Sequence, residues 1–257
     1  MVKPKKRYGQ HFLTDPGIAQ RICDSLHNET SVPVVEIGPG KGVLTSILSE
    51  RFPDFLAVET DNEALDYLKE KYPDLKDKIV HEDFLRFDPD RYISGRFCLI
   101  SNLPYNISSP VMFSMLDQRD RIPEAVFMLQ KEVARRLASP HGTKEYGVLS
   151  VLLQAYYDVR YLFSVGEGSF FPPPKVKSGV VRFERVSGKE VPNDHKVFRR
   201  VVKAAFNQRR KTLRNSLKSI LLPLSLDNQP WMALRPEQIS VEEFVRISNF
   251  IDKKMQM

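Results

Sequence analysis

Three glycines at alternating positions, in the segment Glu36-Ile-Gly-Pro-Gly-Lys-Gly42, constrain the fold of this chain more than any other feature. The apolar residues 32–37 before them predict a buried strand, and residues 43–51 after them follow a helical pattern. Glycine adopts positive φ readily and lets a ligand approach the backbone where a Cβ would block it. A strand, a glycine turn and a helix in this order therefore predict a nucleotide-type binding loop in an α/β sheet.

The spacing of the glycines indicates which class of ligand the loop binds. They lie at Gly38, Gly40 and Gly42, whereas the dinucleotide fingerprint G-x-G-x-x-G would place its last glycine at Val43. This departure disfavours a NAD-dependent dehydrogenase. It favours a nucleoside cofactor that has no pyrophosphate.

Two carboxylates follow the next predicted strands. Glu59 ends the second strand, where a carboxylate can accept hydrogen bonds from both hydroxyls of a ribose. Asp83 ends the third strand and is placed to accept a hydrogen bond from an adenine amine. A structural turn with two solvated carboxylates is the alternative. Functional residues at three consecutive strand ends favour the cofactor site.

Strand and helix patterns alternate through about the first 165 residues. The predicted strands are 32–37, 55–59, 79–82, 97–101, 125–129 and 180–186, and the predicted helices are 43–51, 62–71, 111–116, 131–137 and 147–157. Asp61 or Asn62 is expected to cap the second helix. This alternation predicts a Rossmann-like α/β fold, a largely parallel sheet with helices on both faces.

The polar, turn-rich residues 187–194 are the best candidate for a linker. Beyond them the pattern is helical to the end of the chain, interrupted by prolines. We therefore expect a cofactor-binding catalytic domain over residues 1–187 and a small all-α domain over residues 188–257.

Composition limits the compartment and the partners. The chain has a net charge of +7 and a pI near 9.3, which favours polyanionic partners. No apolar run approaches the ~20 residues of a membrane-spanning helix, and no secretory signal is visible. Cys23 and Cys98 match no metal-ligand spacing, so we expect buried thiols, no metal and a cytoplasmic protein.

The segment Ser101-Asn-Leu-Pro-Tyr105 follows the fourth predicted strand and predicts methyl transfer to an exocyclic amine. Such an amine is a poor nucleophile because its lone pair is delocalised into the ring. The side-chain oxygen of Asn102 and the carbonyl of Leu103 could accept its hydrogens and localise the lone pair. Pro104 fixes the direction of that carbonyl, and Tyr105 offers a face on which a base can stack. The alternative is a proline loop whose Asn102 caps the next helix.

These motifs, with several others, resemble the KsgA-type family of small-subunit rRNA adenine dimethyltransferases. The resemblance extends from the N-terminus through the helical tail. It rests on Arg7-Tyr-Gly-Gln-His-Phe-Leu13, Glu36-Ile-Gly-Pro-Gly40, Asn102-Leu-Pro-Tyr-Asn-Ile107, Met128-Leu-Gln-Lys-Glu-Val133, Phe171-Pro-Pro-Pro-Lys-Val176 and Phe206-Asn-Gln-Arg-Arg-Lys-Thr-Leu-Arg-Asn215. The last two motifs separate this group from methyltransferases in general.

The resemblance implies a class I methyltransferase fold, S-adenosylmethionine as cofactor and two sets of site residues. Tyr105 and Phe170 would sandwich a flipped target base. The family more often carries Asn where this chain has His11. The change leaves cofactor binding unaffected if this residue contacts the cofactor through its backbone, and we favour that interpretation. The residues implied at the cofactor are Gln10, His11, Leu13, Glu36, Gly38, Gly40, Glu59, Asp83 and Asn102.

The resemblance also implies a substrate. It predicts dimethylation of two adjacent adenines in a hairpin loop near the 3′ end of 16S rRNA, in an assembling small subunit, by a monomeric enzyme. One alternative is the related large-subunit rRNA methyltransferase of the macrolide-resistance type. The other is an assembly factor that binds without methylating, which the intact Asn102, Pro104 and Tyr105 disfavour.

Basic residues near the C-terminus predict an RNA contact. A continuous helix over residues 207–218 would place Arg210, Arg214 and Lys218 on one face, with Leu213 and Leu217 packed inward. No acidic residue lies between Lys203 and Lys218, so a polyanion would relieve the repulsion between the cations. A solvated helix face is the alternative. The complete set of predicted RNA contacts is Lys5, Lys6, Arg7, Arg209, Arg210, Lys211, Arg214 and Lys218, of which the first three could instead form a solvated tail.

Overall fold

The computed structural model of the chain describes residues 2–5, 9–29, 31–188, 190–224 and 229–256. Its strands are β1 (Phe12–Leu13), β2 (Val34–Ile37), β3 (Phe55–Glu59), β4 (Ile79–His81), β5 (Cys98–Asn102), β6 (Glu124–Gln130), β7 (Tyr157–Val165), β8 (Phe170–Phe171) and β9 (Ser178–Arg185). Its helices are α1 (Pro16–Asp24), α2 (Val43–Arg51), α3 (Asn62–Lys71), α4 (Ser108–Asp117), α5 (Lys131–Leu137), α6 (Val148–Gln154), α7 (His195–Asn207), α8 (Leu213–Ser216), α9 (Lys218–Leu221) and α10 (Val241–Met255). None of the helices in these ranges is long and apolar enough to cross a membrane.

Seven of the strands form one sheet in the order β4-β3-β2-β5-β6-β9-β7. The pairs from β4 through β6 are parallel, and β9 runs antiparallel to β6. Nearly every residue of β2, β3, β5 and β6 is buried, as expected for parallel strands covered on both faces. The order reverses between β2 and β5, which makes the carboxyl ends of these strands the expected binding crevice.

The elements around the glycine turn agree with the sequence analysis. Helices α2 and α3 have the predicted bounds, and the Asp61 carboxylate caps α3 by accepting from the Glu63 N–H. Gly42 precedes α2 with φ +74°, and the Tyr72 hydroxyl donates to its carbonyl at 2.8 Å. Cys23 and Cys98 are buried as predicted, and burial raises the pKa of each thiol to about 12.

Two strand regions differ from the prediction. Residues 147–157 were expected to be helical throughout, but α6 ends at Gln154 and the strand β7 begins at Tyr157. The strands β1 and β8 form a separate two-stranded antiparallel ribbon, with Phe12 opposite Phe171 and Leu13 opposite Phe170. Each strand of the ribbon is only two residues long, which is too short for a periodic pattern.

The chain divides into two compact units, Met1–Ala134 with Val159–Arg185, and Arg135–Asp158 with Val186–Met257. The C-terminal division lies close to the boundary expected at residue 187. The segment 135–158, which the sequence analysis assigned to the first domain, groups with the C-terminal residues. In this second unit the rings of Tyr146, Phe206 and Phe244 pack in series, with centroids 5.9 Å apart in each pair.

The predicted continuous basic helix over residues 207–218 is wrong. Helix α7 ends at Asn207, the chain then turns, and the short helices α8 and α9 follow. The turn is held by the Lys211 N–H, which donates to the Gln208 carbonyl at 2.8 Å. Arg209 stabilises this turn by donating hydrogen bonds to the carbonyls of Thr143 and Lys144. Leu213 and Leu217 are buried, as predicted.

We predict that Gly42→Ala destabilises the protein by about 2–4 kcal/mol. Alanine is strained at positive φ, and its Cβ would lie 2.6 Å from a carbon of the Tyr72 ring and 2.8 Å from Leu68. Urea unfolding followed by circular dichroism measures the loss. Gly95→Ala is the matched control, because Gly95 has φ +80° with open space around its Cβ position. Its loss should be about 1 kcal/mol. Equal losses in the two variants would contradict the packing argument.

Candidate functional site

A cavity of about 260 Å³ lies at the carboxyl ends of β2, β3, β4 and β5, within the first unit. Three chain segments close it: the N-terminal residues 9–13, the glycine loop, and the residues that follow β5. Its wall contains all the residues predicted to touch the cofactor, namely Gln10, His11, Leu13, Glu36, Gly38, Gly40, Glu59, Asp83 and Asn102. Leu103, Pro104 and Tyr105 also line it.

The buried carboxylate of Glu59 joins the glycine loop to the turn after β3. One of its oxygens accepts from the Gly40 N–H at 3.1 Å, and the other accepts from the N–H groups of Thr60 and Asp61 at 2.9 and 2.8 Å. Burial raises the pKa of Glu59, and these three backbone donors counteract part of that rise. The carboxylate is therefore fixed in place at the cavity wall.

Glu36 is a second buried carboxyl at the cavity, inside β2. It is 2% exposed, and the Thr45 hydroxyl donates to it at 2.7 Å. Burial raises its pKa to about 8; the Thr45 hydrogen bond lowers it, and the nearby Glu59 raises it further. At neutral pH this raised pKa favours the protonated form of Glu36.

The side chain of Gln10 attaches the N-terminal segment to helix α3. Its oxygen accepts from the Lys5 N–H at 2.9 Å, and its nitrogen donates to Asp61 at 3.4 Å. Asp61 also forms an ion pair with the ammonium of Lys5, which forms a second ion pair with Glu63 at 3.1 Å. Lys5, a predicted RNA contact, is thus engaged with carboxylates of its own unit.

The backbone and the side chain of His11 contact different parts of the site. Its carbonyl accepts from the Asn102 side-chain nitrogen at 3.0 Å, beside the cavity. Its ring Nδ1 lies 2.8 Å from the Pro172 carbonyl, and the ring centroid is 5.5 Å from that of Tyr105. The ring therefore lies between the segment after β8 and Tyr105, and the backbone is the part of His11 that reaches the Asn102 amide.

The Asn102-Leu-Pro-Tyr105 segment extends from the end of β5. The Leu103 N–H donates to the Met128 carbonyl of β6 at 3.1 Å, and Pro104 has φ −54° and ψ 132°. The Tyr105 hydroxyl lies 2.8 Å from that of Ser178. Since the Asn102 nitrogen donates to His11, the amide is held so that its oxygen can act as an acceptor.

Phe170 differs in its environment from the other four predicted catalytic residues, which line the cavity. It is 4% exposed, packs in the core of the first unit, and does not appear among the residues that line the cavity. Its neighbour Phe171 is exposed instead. Stacking of a base between Tyr105 and Phe170 stays a prediction, and it requires Phe170 to become accessible from the cavity.

Several lining residues were missed by the sequence analysis. They include the apolar Phe84 and Leu85, which directly follow the predicted Asp83. The Asp83 carboxylate is exposed at the wall, as predicted for a cofactor contact, and accepts from the Leu85 N–H at 3.0 Å. Lys41, between two loop glycines, lines it too. Apolar residues directly after an acidic strand end were the available signal for Phe84 and Leu85.

The predicted RNA-contact residues of the second unit are mostly exposed. Arg210, Lys211, Arg214 and Lys218 are exposed. Arg209 is more enclosed, since it donates to two carbonyls and its Nε lies 3.9 Å from a Glu237 oxygen. Lys6 and Arg7 lie outside the described residues.

The cavity suits a nucleoside cofactor that carries positive charge. Gly38 has φ +63° and open space where a Cβ would stand, so a ligand can approach its backbone. Glu59 offers fixed acceptor oxygens, and the buried Glu36 would gain from a nearby cation because a cation favours the charged carboxylate.

Comparison with known proteins identifies close relatives. Residues 1–253 match the family model described as "Ribosomal RNA adenine dimethylase". The chain is 54% identical over its whole length to "Ribosomal RNA small subunit methyltransferase A" of Parabacteroides distasonis, covering 97% of that protein. It is 50% identical over 96% of its length to the protein of the same name from Porphyromonas gingivalis, again covering 97%.

Two solved structures share the fold. A dimethyladenosine transferase from Plasmodium falciparum superposes with a TM-score of 0.80 at 23% identity, over 95% of this chain and 98% of that one. The 23S rRNA methyltransferase ErmE superposes with a TM-score of 0.66 at 25% identity, over 94% and 99%. The predicted class I methyltransferase sheet with a helical C-terminal part is confirmed.

We predict that Glu36→Gln removes a pH dependence of stability. The pKa of Glu36 rises from 4.5 to about 8 on folding, so the folded state holds a proton that the unfolded chain has lost between these values. Its contribution to the free energy of unfolding is complete below pH 4.5 and falls by up to about 1.4 kcal/mol per pH unit as pH rises to about 8.

Urea unfolding at several pH values between 4.5 and 8 tests this prediction. Relative to Glu36→Gln, the wild-type protein should lose stability as pH rises through this window. The exposed Glu50→Gln is the matched control and should follow the wild type. Parallel curves for wild type and Glu36→Gln would show that Glu36 titrates as an ordinary carboxyl.

Proposed function

Since the chain belongs to the ribosomal RNA adenine dimethylase family, we propose that it dimethylates adenines of small-subunit rRNA with S-adenosylmethionine as the methyl donor. Relatives from Parabacteroides distasonis, Porphyromonas gingivalis and Bacteroides thetaiotaomicron, at 50–54% identity, carry the name of the small-subunit enzyme, which favours this substrate over large-subunit rRNA. The single structural observation that carries the proposal is the Asn102 amide, held at the cavity wall by the His11 carbonyl.

The cavity residues would hold the donor in distinct ways. Glu59 would accept from the ribose hydroxyls, Asp83 would accept from the adenine amine, and the open backbone at Gly38 would let the cofactor approach. S-adenosylmethionine supplies a methyl group on a positively charged sulfur, which makes a strong general base unnecessary. The protein's main contribution is then positioning of the amine in line with that methyl group.

The residues after β5 prepare the target amine. With its nitrogen donating to His11, Asn102 presents its oxygen to one amine hydrogen, and the Leu103 carbonyl accepts the other. These two contacts localise the nitrogen lone pair towards the methyl donor. Tyr105, whose hydroxyl is held by Ser178, provides a face for the flipped adenine, and the released proton passes to solvent.

The substrate we propose is a pair of adjacent adenines in a hairpin loop near the 3′ end of 16S rRNA. Loop bases can leave the stack at low cost, which suits an enzyme that must take the amine into a cavity. The protein acts as a monomer on assembling small subunits in the cytoplasm, and the exposed cations of the second unit contact phosphates.

Methyl transfer from labelled S-adenosylmethionine to small subunits that lack the modification tests the proposal directly. Nucleoside analysis should find dimethyladenosine in the small-subunit RNA. Label found only in large-subunit RNA would assign the chain to the macrolide-resistance type. Absence of transfer, with cofactor and subunit binding intact, would favour the assembly-factor function.

Asn102→Ala should reduce methyl transfer by about 100-fold or more, because the substitution removes a preorganised acceptor at the reacting amine. Binding to small subunits should change little. Single-turnover transfer and filter binding measure the two quantities. The exposed Asn62→Ala is the control and should keep wild-type activity. Near-normal methylation by Asn102→Ala would overturn the proposed mechanism.

Arg210→Glu combined with Arg214→Glu should weaken RNA binding by tenfold or more and reduce its salt dependence. Each lost phosphate contact lowers the slope of log K against log salt by about 1. Lys253→Glu combined with Lys254→Glu on α10 makes the same change in net charge at two residues that do not belong to the proposed contact set. If the slope fell equally in both double variants, net charge rather than this surface would account for it.

A further inference from the structure

Two consecutive phenylalanines of β8 have opposite environments. Phe170 is buried, whereas Phe171 is 56% exposed, the highest value for any Phe, Tyr or Trp in the described part of the chain. Neighbouring residues of a strand face opposite sides, so burial of the first directs the second outward. The folded chain leaves more than half of this apolar ring in water. A partner that covered the ring would remove that surface from water, which makes Phe171 a candidate contact.

The backbone on both sides of Phe171 is held firmly. Phe171 pairs with Phe12 in the β1–β8 ribbon. On one side the Thr14 N–H donates to the Ser169 carbonyl at 2.8 Å, and on the other the His11 ring lies 2.8 Å from the Pro172 carbonyl. The backbone that carries the exposed ring is therefore held before any partner binds, which lowers the entropy lost on binding.

A cation and the cavity lie beside this ring. The Lys41 ammonium is 5.8 Å from the centroid of Phe171 and 5.0 Å from that of Phe12, within the range of a cation–π contact. Lys41, Phe12 and His11 all line the cavity, so Phe171 lies just outside its wall. Lys175, further along the same segment, is exposed as well.

We propose that Phe171 and Lys41 form a second base-stacking site at the rim of the cavity, for the RNA nucleotide next to the target adenine. A base stacks on the outer face of the Phe171 ring while the Lys41 ammonium attracts its phosphate. Aromatic rings beside cations are the general arrangement by which proteins hold single-stranded nucleotides.

The assignment to the neighbouring nucleotide follows from the position of the ring. The target amine must reach Asn102 inside the cavity, and Phe171 is absent from the residues that line it. The site rests on the proposed function, because a pair of adjacent adenines supplies a neighbouring purine for either methylation. It holds one base of the pair at the rim while the other reacts.

The test compares Phe171→Ala, Phe171→Trp and wild type in two measurements. For methylation of unmodified small subunits, Phe171→Ala should raise KM by about tenfold with kcat within about twofold, and Phe171→Trp should restore KM. For binding, an RNA hairpin carries 2-aminopurine in place of the adenine beside the target. Its fluorescence should be quenched by wild type and by Phe171→Trp, and not by Phe171→Ala.

Two controls separate stacking from other effects. Leu222→Ala, at a side chain 65% exposed in the second unit, should behave as wild type in both measurements. Binding of S-adenosylhomocysteine, measured by calorimetry, should be equal in all variants. Loss of that binding in Phe171→Ala, or an unchanged KM and unchanged quenching, would overturn the proposal. Failure of the wild type to methylate the subunits would instead refute the proposed function, and the quenching measurement would still test the stacking site.

Discussion

The hydrogen bonds of one buried carboxylate, Glu59, underlie the rest of the site. Its two oxygens accept three backbone N–H groups, one from the glycine loop and two from the turn after β3. That turn contains Asp61, whose carboxylate caps α3. The same carboxylate accepts a hydrogen bond from the Gln10 side chain and forms an ion pair with Lys5, both in the N-terminal segment. The same segment continues to His11, whose carbonyl holds the Asn102 amide. Hydrogen bonds and the backbone of the N-terminal segment thus connect Glu59, on the cofactor side of the cavity, to Asn102, where the target amine is proposed to react.

Local sequence patterns predicted most strands and helices of the sheet, because these elements are determined by residues that are close together in the chain. Helices α2 and α3 have the predicted bounds, because each starts at a local signal: α2 directly after the glycine turn, and α3 after the Asp61 carboxylate that caps it. The β1–β8 ribbon could not be predicted, because its partners are far apart in the chain. The basic helix failed for a similar reason: Arg209 donates to carbonyls 65 and 66 residues away, and the chain turns there.

The candidate site shows the same division between local and distant information. Glu59 and Asn102 were predicted from their places at strand ends, and both line the cavity. The bond from Thr45 to Glu36 was not predicted, because it depends on how α2 packs against β2. The burial of Phe170 was missed as well, since its partner in the ribbon, Leu13, lies far away in the chain.

The β1–β8 ribbon also sets the order in which the site can be completed during synthesis. Thr14 and Ser169, which hydrogen-bond at one end of the ribbon, are 155 residues apart. A growing chain can form the glycine loop and the first parallel strands well before Phe170 and Phe171 leave the ribosome. Until then the segment that carries His11 lacks its partner strand and the Pro172 carbonyl. Assembly of the cavity wall must therefore wait for the last third of the chain, so an unfinished polypeptide lacks the complete site.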